Sequence, residues 1–286
     1  MKLAIGTAQF GFDYGISNRS GQVSRVEAEK ILEMARALGI NTLDTAADYG
    51  QSEQRLGDLG VRDFLLVTKL PGKRDLSQAN RDWVSACVTE SLKKLSAPSL
   101  HGLLLHCPEQ LQAENLDEFL EAVEREKKHG RVSKFGVSVY EPIEIERVTA
   151  LVNLDIVQAP LNIFDRRLLE SGWIQKLYEK GVEIHVRSVF LQGLLLMNRH
   201  ELPENFSPWR SLFEQWYLWL AQENLSPVEG CLAAVDDFRV SRILIGVENA
   251  MQLRQIAKAS QRTKLRELPQ LSCEDRNLIN PFNWGK

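Results

Sequence analysis

A carboxylate, a phenol, an ammonium and an imidazole occur in the first part of the chain, each at or just beyond the end of an apolar run. Asp44 and Tyr49 lie in Leu43-Asp44-Thr45-Ala46-Ala47-Asp48-Tyr49-Gly50, Lys69 closes Phe64-Leu65-Leu66-Val67-Thr68-Lys69, and His106 closes Leu103-Leu104-Leu105-His106. A carboxylate and a phenol that share a pocket can position or transfer a proton. An unperturbed tyrosine has a pKa of about 10, and a nearby ammonium is expected to lower it. The carboxylate would hold the lysine charged and oriented. An imidazole beside the phenol can hydrogen-bond a carbonyl oxygen. Singly, Asp44 could cap a helix, Lys69 could snorkel and His106 could be a satisfied histidine. Together they describe a proton donor poised over a carbonyl, with the reductant still missing.

These residues need a scaffold that brings strand ends together. Leu3 to Thr7 reads as a buried strand, and Thr7 to Gly21 as a loop. Ser24-x-x-Glu27 reads as a capping box, opening a helix that Gly39 stops. Alternating strand and helix patterns follow. Strands are expected from Gly39-Ile40-Asn41-Thr42 to Asp44, and near Asp63–Lys69, Leu100–His106, Lys134–Val139, Asp155–Pro160, Val182–Val189 and Arg242–Gly246. Helices are expected over Ser52–Leu59, Ser77–Leu95, from Leu116 to His129, on to about Leu151, over Leu168–Lys180, in the aromatic Trp209–Trp219 segment, after Ser226-Pro227, and over Asn249–Ala259. Asn198 to Pro208 reads as a longer loop.

Continuous apolar strands suit a parallel sheet covered on both faces, and eight βα units suit a closed (β/α)8 barrel. An open doubly wound sheet would want G-x-G-x-x-G after its first strand, which Gly6-Thr7-Ala8-Gln9-Phe10-Gly11 does not supply. The expected organisation is one barrel over residues 1–286, with 271–286 a tail that could close over the pocket. In such barrels the site lies at the C-terminal strand ends, here Thr7, Asp44, Lys69, His106, Ser138, Gln158, Arg187 and Ser188.

The 286 residues carry a net charge of −3 and are 44% hydrophobic. Nothing in that balance suggests a nucleic-acid or anionic-membrane partner. No apolar run approaches the ~20 residues of a membrane span, and the first strand is too short for a signal peptide. Cys87, Cys107, Cys231 and Cys273 are far apart without a C-x-x-C pair, so a cytoplasmic protein with reduced thiols is expected. Cys87 reads as a core residue on its helix face. Metal-ligand spacing is absent, and no oligomeric state is legible.

The residues resemble the aldo-keto reductase family. The resemblance rests on Asp44-Thr45-Ala46-Ala47-Asp48-Tyr49-Gly50, Thr68-Lys69 and Leu104-Leu105-His106-Cys107-Pro108. It continues through Gly130-Arg131, Gly136-Val137-Ser138, Val157-Gln158-Ala159-Pro160-Leu161-Asn162, Ser188 to Leu195 and Leu244 to Asn249. It implies NAD(P)H-dependent interconversion of a small-molecule aldehyde, ketone or sugar carbonyl with its alcohol, and a catalytic tetrad of Asp44, Tyr49, Lys69 and His106. Tyr49 would donate the proton. Ser138 and Gln158 would hold the nicotinamide carboxamide. Arg187 would take the place where an aromatic residue often stacks on the nicotinamide. Ser188, Phe190, Gln192 and Gly193 would follow the pyrophosphate. Gly246, Glu248, Gln252 and Gln255 would line the adenosine side, with Gly6 and Thr7 also at the cofactor.

Departures from the family pattern carry expectations of their own. Val139 replaces a frequent asparagine, His101 a frequent aspartate away from the chemistry, and Cys107 a frequent tryptophan or arginine. Glu248 replaces a frequent arginine, so NADP(H) and NAD(H) are both expected as cofactors with weak discrimination. Arg254 and the helix start after Gly246 would favour phosphate, while Arg242 should lie at the far end of the barrel. Phe10, Tyr14, the Asn198–Trp209 loop and Phe282-Asn283-Trp284 are candidates for the substrate wall; Trp216 and Trp219 read as core. Two other classes stay open: a cofactor-binding sensor with residual turnover, and a metal-dependent barrel hydrolase.

Overall fold

The computed structural model describes residues 2–72, 81–108, 111, 116–237, 239–261 and 267–284. Eight parallel strands close into a barrel in sequence order. They are β1 Leu3–Gly6, β2 Thr42–Asp44, β3 Leu65–Leu70, β4 Leu100–Leu105, β5 Val132–Ser138, β6 Ile156–Pro160, β7 Glu183–Arg187 and β8 Arg242–Gly246. This is the expected (β/α)8 architecture.

The helices between them are α1 Ala8–Gly11, α2 Arg25–Ala37, α3 Ser52–Leu59, α4 Arg81–Leu95, α5 Leu116–Lys128, α6 Pro142–Thr149, α7 Arg167–Glu170 and α8 Trp173–Glu179. α9 Arg210–Gln222, α10 Pro227–Val235, α11 Ala250–Ala259 and α12 Arg276–Ile279 complete the described set. The first four residues of the expected helix from Ser77, 77–80, lie outside the described residues. Cys87 on α4 is partly buried and packs against the core.

Successive side chains of a strand point to opposite faces, and the burial pattern sorts accordingly. Leu3, Ile5, Leu43, Leu66, Leu103, Leu105, Phe135, Val137, Val157, Ile184, Val186, Ile243 and Ile245 join the core between barrel and helices. The alternate positions Val67, Leu104 and Ile156 form a separate cluster inside the barrel. Asp44, Lys69, His106, Ser138, Gln158 and Arg187 share this inward alternation, one or more positions nearer the C-terminal end. Strand register levels them: Gly6 pairs with Asp44, Lys69 with Leu104 and Ser138 with Gln158.

Several local expectations change. The Thr7–Gly21 loop contains α1. Gly172, at φ 76°, breaks the helix expected over Leu168–Lys180 into α7 and α8. The Asn198–Pro208 loop is largely wound into 3-10 turns. The capping box before α2 is only half formed: Ser24 Oγ accepts from Glu27 N at 3.2 Å. The Glu27 carboxylate instead accepts from Ala250 N at 2.9 Å and ties α2 to the start of α11. The box before α10 is complete, between Ser226 and Glu229. Trp216 is fully buried and donates to the Leu195 carbonyl, and Trp219 stacks on it, so both are core. Among the described residues no helix is long and apolar enough to cross a membrane.

Candidate active site

Asp44 ends β2 and Lys69 lies near the end of β3, both almost completely buried. Lys69 Nζ donates to Asp44 Oδ2 at 2.6 Å and to the Thr45 carbonyl at 2.8 Å. Gln158 on β6 donates to the other oxygen, Asp44 Oδ1, at 2.7 Å, and its own carbonyl accepts from Ser138 Oγ at 3.3 Å. Both oxygens of a buried carboxylate are thus satisfied, as burial of charge demands. Burial pulls the Lys69 ammonium below its ordinary range, and the Asp44 carboxylate opposes this.

Tyr49 sits in the turn between β2 and α3. Its seat requires two glycines. A Cβ on Gly11 would lie 1.7 Å from the Tyr49 carbonyl oxygen, and one on Gly50 (φ 53°) 2.7 Å from the Gly11 carbonyl. Lys69 Nζ lies 4.9 Å from the Tyr49 ring centroid. Burial and then the Asp44 carboxylate push the Tyr49 hydroxyl well above its ordinary value, with Arg187 opposing. The expected acidification by Lys69 is therefore not found: the ammonium sits over the ring face and is bonded to Asp44. Tyr49 is a protonated phenol at neutral pH.

The His106 ring meets Tyr49 edge to face at 6.1 Å, and its Nδ1 lies 3.6 Å from Asp48 Oδ2. Burial, then Lys69, pulls the imidazole down to about 4, against the pull of Asp48 and Asp44. It is neutral at pH 7 and offers one donor and one acceptor.

These groups open onto a cavity of about 380 Å³ lined by Asp44, Tyr49, His106, Ser138, Gln158 and Arg187. The same cavity runs along Gly6, Ser188, Phe190, Gln192 and Gly193 to Gly246, Glu248, Gln252 and Gln255. Two expected residues do not line it. Lys69 lies beneath it, bonded to Asp44. Thr7 falls on the outward alternation of β1 and is fully buried. There Thr7 Oγ1 donates to the Asp44 carbonyl at 2.9 Å and accepts from Ser52 Oγ at 2.8 Å, so it braces the strand end from behind.

The wall also differs from expectation. Tyr14 lines the cavity, but Phe10 is fully buried in the core, and neither the Asn198–Trp209 segment nor Phe282 to Trp284 contributes lining. Trp284 packs on Phe206 at 5.0 Å. Phe282 reaches only the back of the rim, where it meets Tyr140 at 5.3 Å.

Tyr140 is a lining residue that sequence reasoning missed. The signal was available: it stands two positions after Ser138, in the inward alternation of β5. Arg187 stacks on it at 4.0 Å and donates to the Val139 carbonyl at 2.9 Å and to Ser188 Oγ at 3.2 Å.

The backbone after β7 is unusual. Ser188, Leu191 and Gln192 have φ of 58°, 48° and 53°, and Gly193 has 89°. A Cβ on Gly193 would lie 1.7 Å from Ser17 Oγ, and Gln192 Nε2 reaches Tyr14 Oη at 3.4 Å. The segments after β1 and β7 therefore meet over the groove. At its far end Asn249 caps α11, and Gln252 Oε1 accepts from Glu248 N at 2.8 Å. Arg254 is exposed and does not line the cavity. Arg242 bonds Thr42 Oγ1 at 2.9 Å at the opposite end of the barrel. Among the described residues no group of three or more acidic, histidine or cysteine side chains is arranged to hold a metal.

Comparison with known proteins adds an independent line. The sequence model of the Aldo/keto reductase family matches residues 2–268. An uncharacterized oxidoreductase of Bacillus subtilis, YqkF, is 29% identical over 211 residues, 68% of this chain and 66% of the relative. The methylglyoxal reductase DkgB of Salmonella typhimurium is 29% identical over 165 residues, 55% of this chain and 58% of the relative. Each match spans less than two thirds of the relative. Among solved structures, the holo form of an aldo-keto reductase from Bacillus halodurans has a TM-score of 0.74 at 23% identity, covering 92% of this chain and 88% of that one. A glycerol dehydrogenase from Gluconobacter oxydans has a TM-score of 0.71 at 20% identity, covering 92% and 87%. At those identities the structures support the fold alone.

Proposed function

The chain belongs to the aldo/keto reductase family, and from that premise and the chemistry of its barrel mouth we propose that it reduces an aldehyde, ketone or sugar carbonyl to the alcohol, or runs the reverse, with NADPH or NADH. The observation that carries this reading is a protonated phenol, Tyr49, beside a neutral imidazole, His106, over the buried Lys69–Asp44 pair.

The donor set fits a nicotinamide dinucleotide. Neutral amides and hydroxyls of Ser138, Gln158, Ser188, Gln192, Gln252 and Gln255 line one continuous groove. When bound, the dinucleotide supplies the hydride. Tyr49 donates its proton to the substrate oxygen, for which its raised pKa keeps it loaded. Neutral His106 hydrogen-bonds the same oxygen and orients it. Lys69, held by Asp44, seats its charge against the face of the phenol ring and so fixes the floor on which Tyr49 is oriented. Gln158 fixes Asp44 so that this charge does not move.

The test follows NADPH and NADH oxidation with 4-nitrobenzaldehyde as acceptor. Tyr49→Phe is expected to lose about a hundredfold or more of kcat, while the cofactor dissociation constants stay within about threefold. Retention of most of the wild-type kcat would remove Tyr49 from the mechanism. No turnover of any aldehyde in the wild type would favour a sensor.

A further inference from the structure

Arg187 is the uncompensated charge at the cavity mouth. Asp44, His106, Arg187 and Glu248 are the acidic and basic side chains among the described lining residues. Asp44 is neutralised by Lys69 and has both oxygens bonded. His106 is neutral at pH 7. Glu248 belongs to the β8 end, beside Gln252. Among the described residues, Arg187 bonds a backbone carbonyl and a serine hydroxyl, both uncharged. Among the described residues no carboxylate is within ion-pair distance of it. It is half-buried, and a guanidinium is a cation with no acceptor of its own.

The side chain is also held rigid. Its Cζ lies over the Tyr140 ring, 4.0 Å from the centroid, and Phe282 meets that ring edge to face at 5.3 Å. Two hydrogen bonds fix two of its N–H groups, and a guanidinium has others to offer. A preorganised guanidinium with spare donors suits two-point recognition of a carboxylate or phosphate. A half-buried cation without a counter-ion is costly, and an arriving anion relieves that cost. Its field reaches the reacting groups, since it acts on both the Tyr49 phenol and the His106 ring.

We propose that Arg187, seated on Tyr140, is an oxyanion subsite for the substrate, so that the carbonyl compound turned over here carries a carboxylate or phosphate group. This rests on the carbonyl-reduction reading above and narrows it to an anionic substrate class.

The test compares 3- and 4-formylbenzoate and 4-formylphenyl phosphate with the neutral isostere 4-formylbenzamide. The wild type is expected to favour at least one anionic aldehyde over the amide by about tenfold or more in kcat/KM, about 1.4 kcal/mol, mostly through KM. Whether carboxylate or phosphate leads identifies the group. In Arg187→Met the anion-to-amide ratio is expected to fall to about one, and in Arg187→Lys to an intermediate value. A wild type without preference overturns the proposal. So does an unchanged ratio in Arg187→Met accompanied by weaker NADPH binding, which would assign the guanidinium to the cofactor phosphates. If none of the aldehydes turns over, the reductase reading fails by itself. Equilibrium binding of the same compounds to protein saturated with NADP+ then reads the ratio directly: a preference lost in Arg187→Met supports the subsite, and no preference overturns it.

Discussion

The Gln158 amide donates to Asp44 Oδ1 while Lys69 occupies Oδ2, so one buried carboxylate at the end of β2 is held from the neighbouring β3 and from β6 across the barrel. The pair Asp44–Lys69 is thus a structural element of the mouth as well as an electrostatic one, and its removal should register in stability and activity separately.

Lys69→Met leaves a buried carboxylate with one amide for company. Stability is expected to fall by about 3–5 kcal/mol, read from denaturant unfolding, and carbonyl reduction should fall with it. Adding Asp44→Asn should recover much of the stability, because no uncompensated charge remains, without restoring turnover. Equal recovery of both would mean that the ammonium acts only as a structural counter-ion.

His106 gives a pH signature. Its folded pKa of about 4 lies below the ordinary histidine value. Between these values the unfolded chain binds the extra proton, so stability rises with pH through about 4 to 6.5 and is lost as pH falls. The contribution is at most about 3 kcal/mol. His185 shifts in the same direction through burial, so the measurement is a difference. The stability gap between wild type and His106→Asn should change across this window, and a constant gap would refute the shift.

Below the mouth, Glu183 Oε2 lies 3.2 Å from His101 Nε2 and 3.1 Å from His185 Nε2, and Oε1 meets Lys134 Nζ at 2.5 Å. Burial pushes its carboxyl up, but bonds from His101, His185 and Lys134 outweigh this and hold it far below its usual range. Glu183→Gln is expected to cost roughly 3 kcal/mol of stability above about pH 5, with the deficit shrinking as pH falls below about 4. Turnover at pH 7 should be nearly unchanged, since Glu183 does not line the cavity. A large loss of kcat with native stability would reverse that assignment.

Glu248 lines the β8 end of the groove, where the proposed cofactor's adenosine side would lie. A carboxylate there disfavours a 2′-phosphate and can accept from ribose hydroxyls. Glu248→Arg is expected to shift preference toward NADPH by at least about tenfold, or about 1.4 kcal/mol. Dissociation constants for both cofactors at fixed salt decide this. A wild type that already favours NADPH strongly, with no change in the variant, would take Glu248 out of cofactor choice.

Much of this architecture was legible in the residues. Eight apolar runs followed by helix patterns gave the barrel, and Asp44, Tyr49, Lys69 and His106 could be placed near its mouth from their positions at or after strand ends. What failed had a common physical cause. Reading strands as uniformly apolar ignored which alternate residues face inward. That put Thr7 in the mouth although it faces the helices, and it overlooked Tyr140, which faces in. Long-range partners were illegible for a different reason. Glu27 with Ala250, Arg187 with Tyr140, and Glu183 with His101 are set by tertiary proximity that no local pattern encodes. Gly172 was visible as a glycine, but the helix periodicity on either side masked the break.

The alternation inside the barrel also constrains how this site can diverge over generations. Inserting or deleting one residue within β5 upstream of Gly136 would turn Ser138 and Tyr140 toward the helices and bring Val137 and Val139 into the mouth. Such a lesion removes the polar lining and the Arg187 platform in one step. Viable change is therefore confined to exchanges at every second strand position and to the lengths of the connecting loops. A change of substrate in descendants of this chain should consequently be written at positions such as 140 and 187, with the strand lengths conserved.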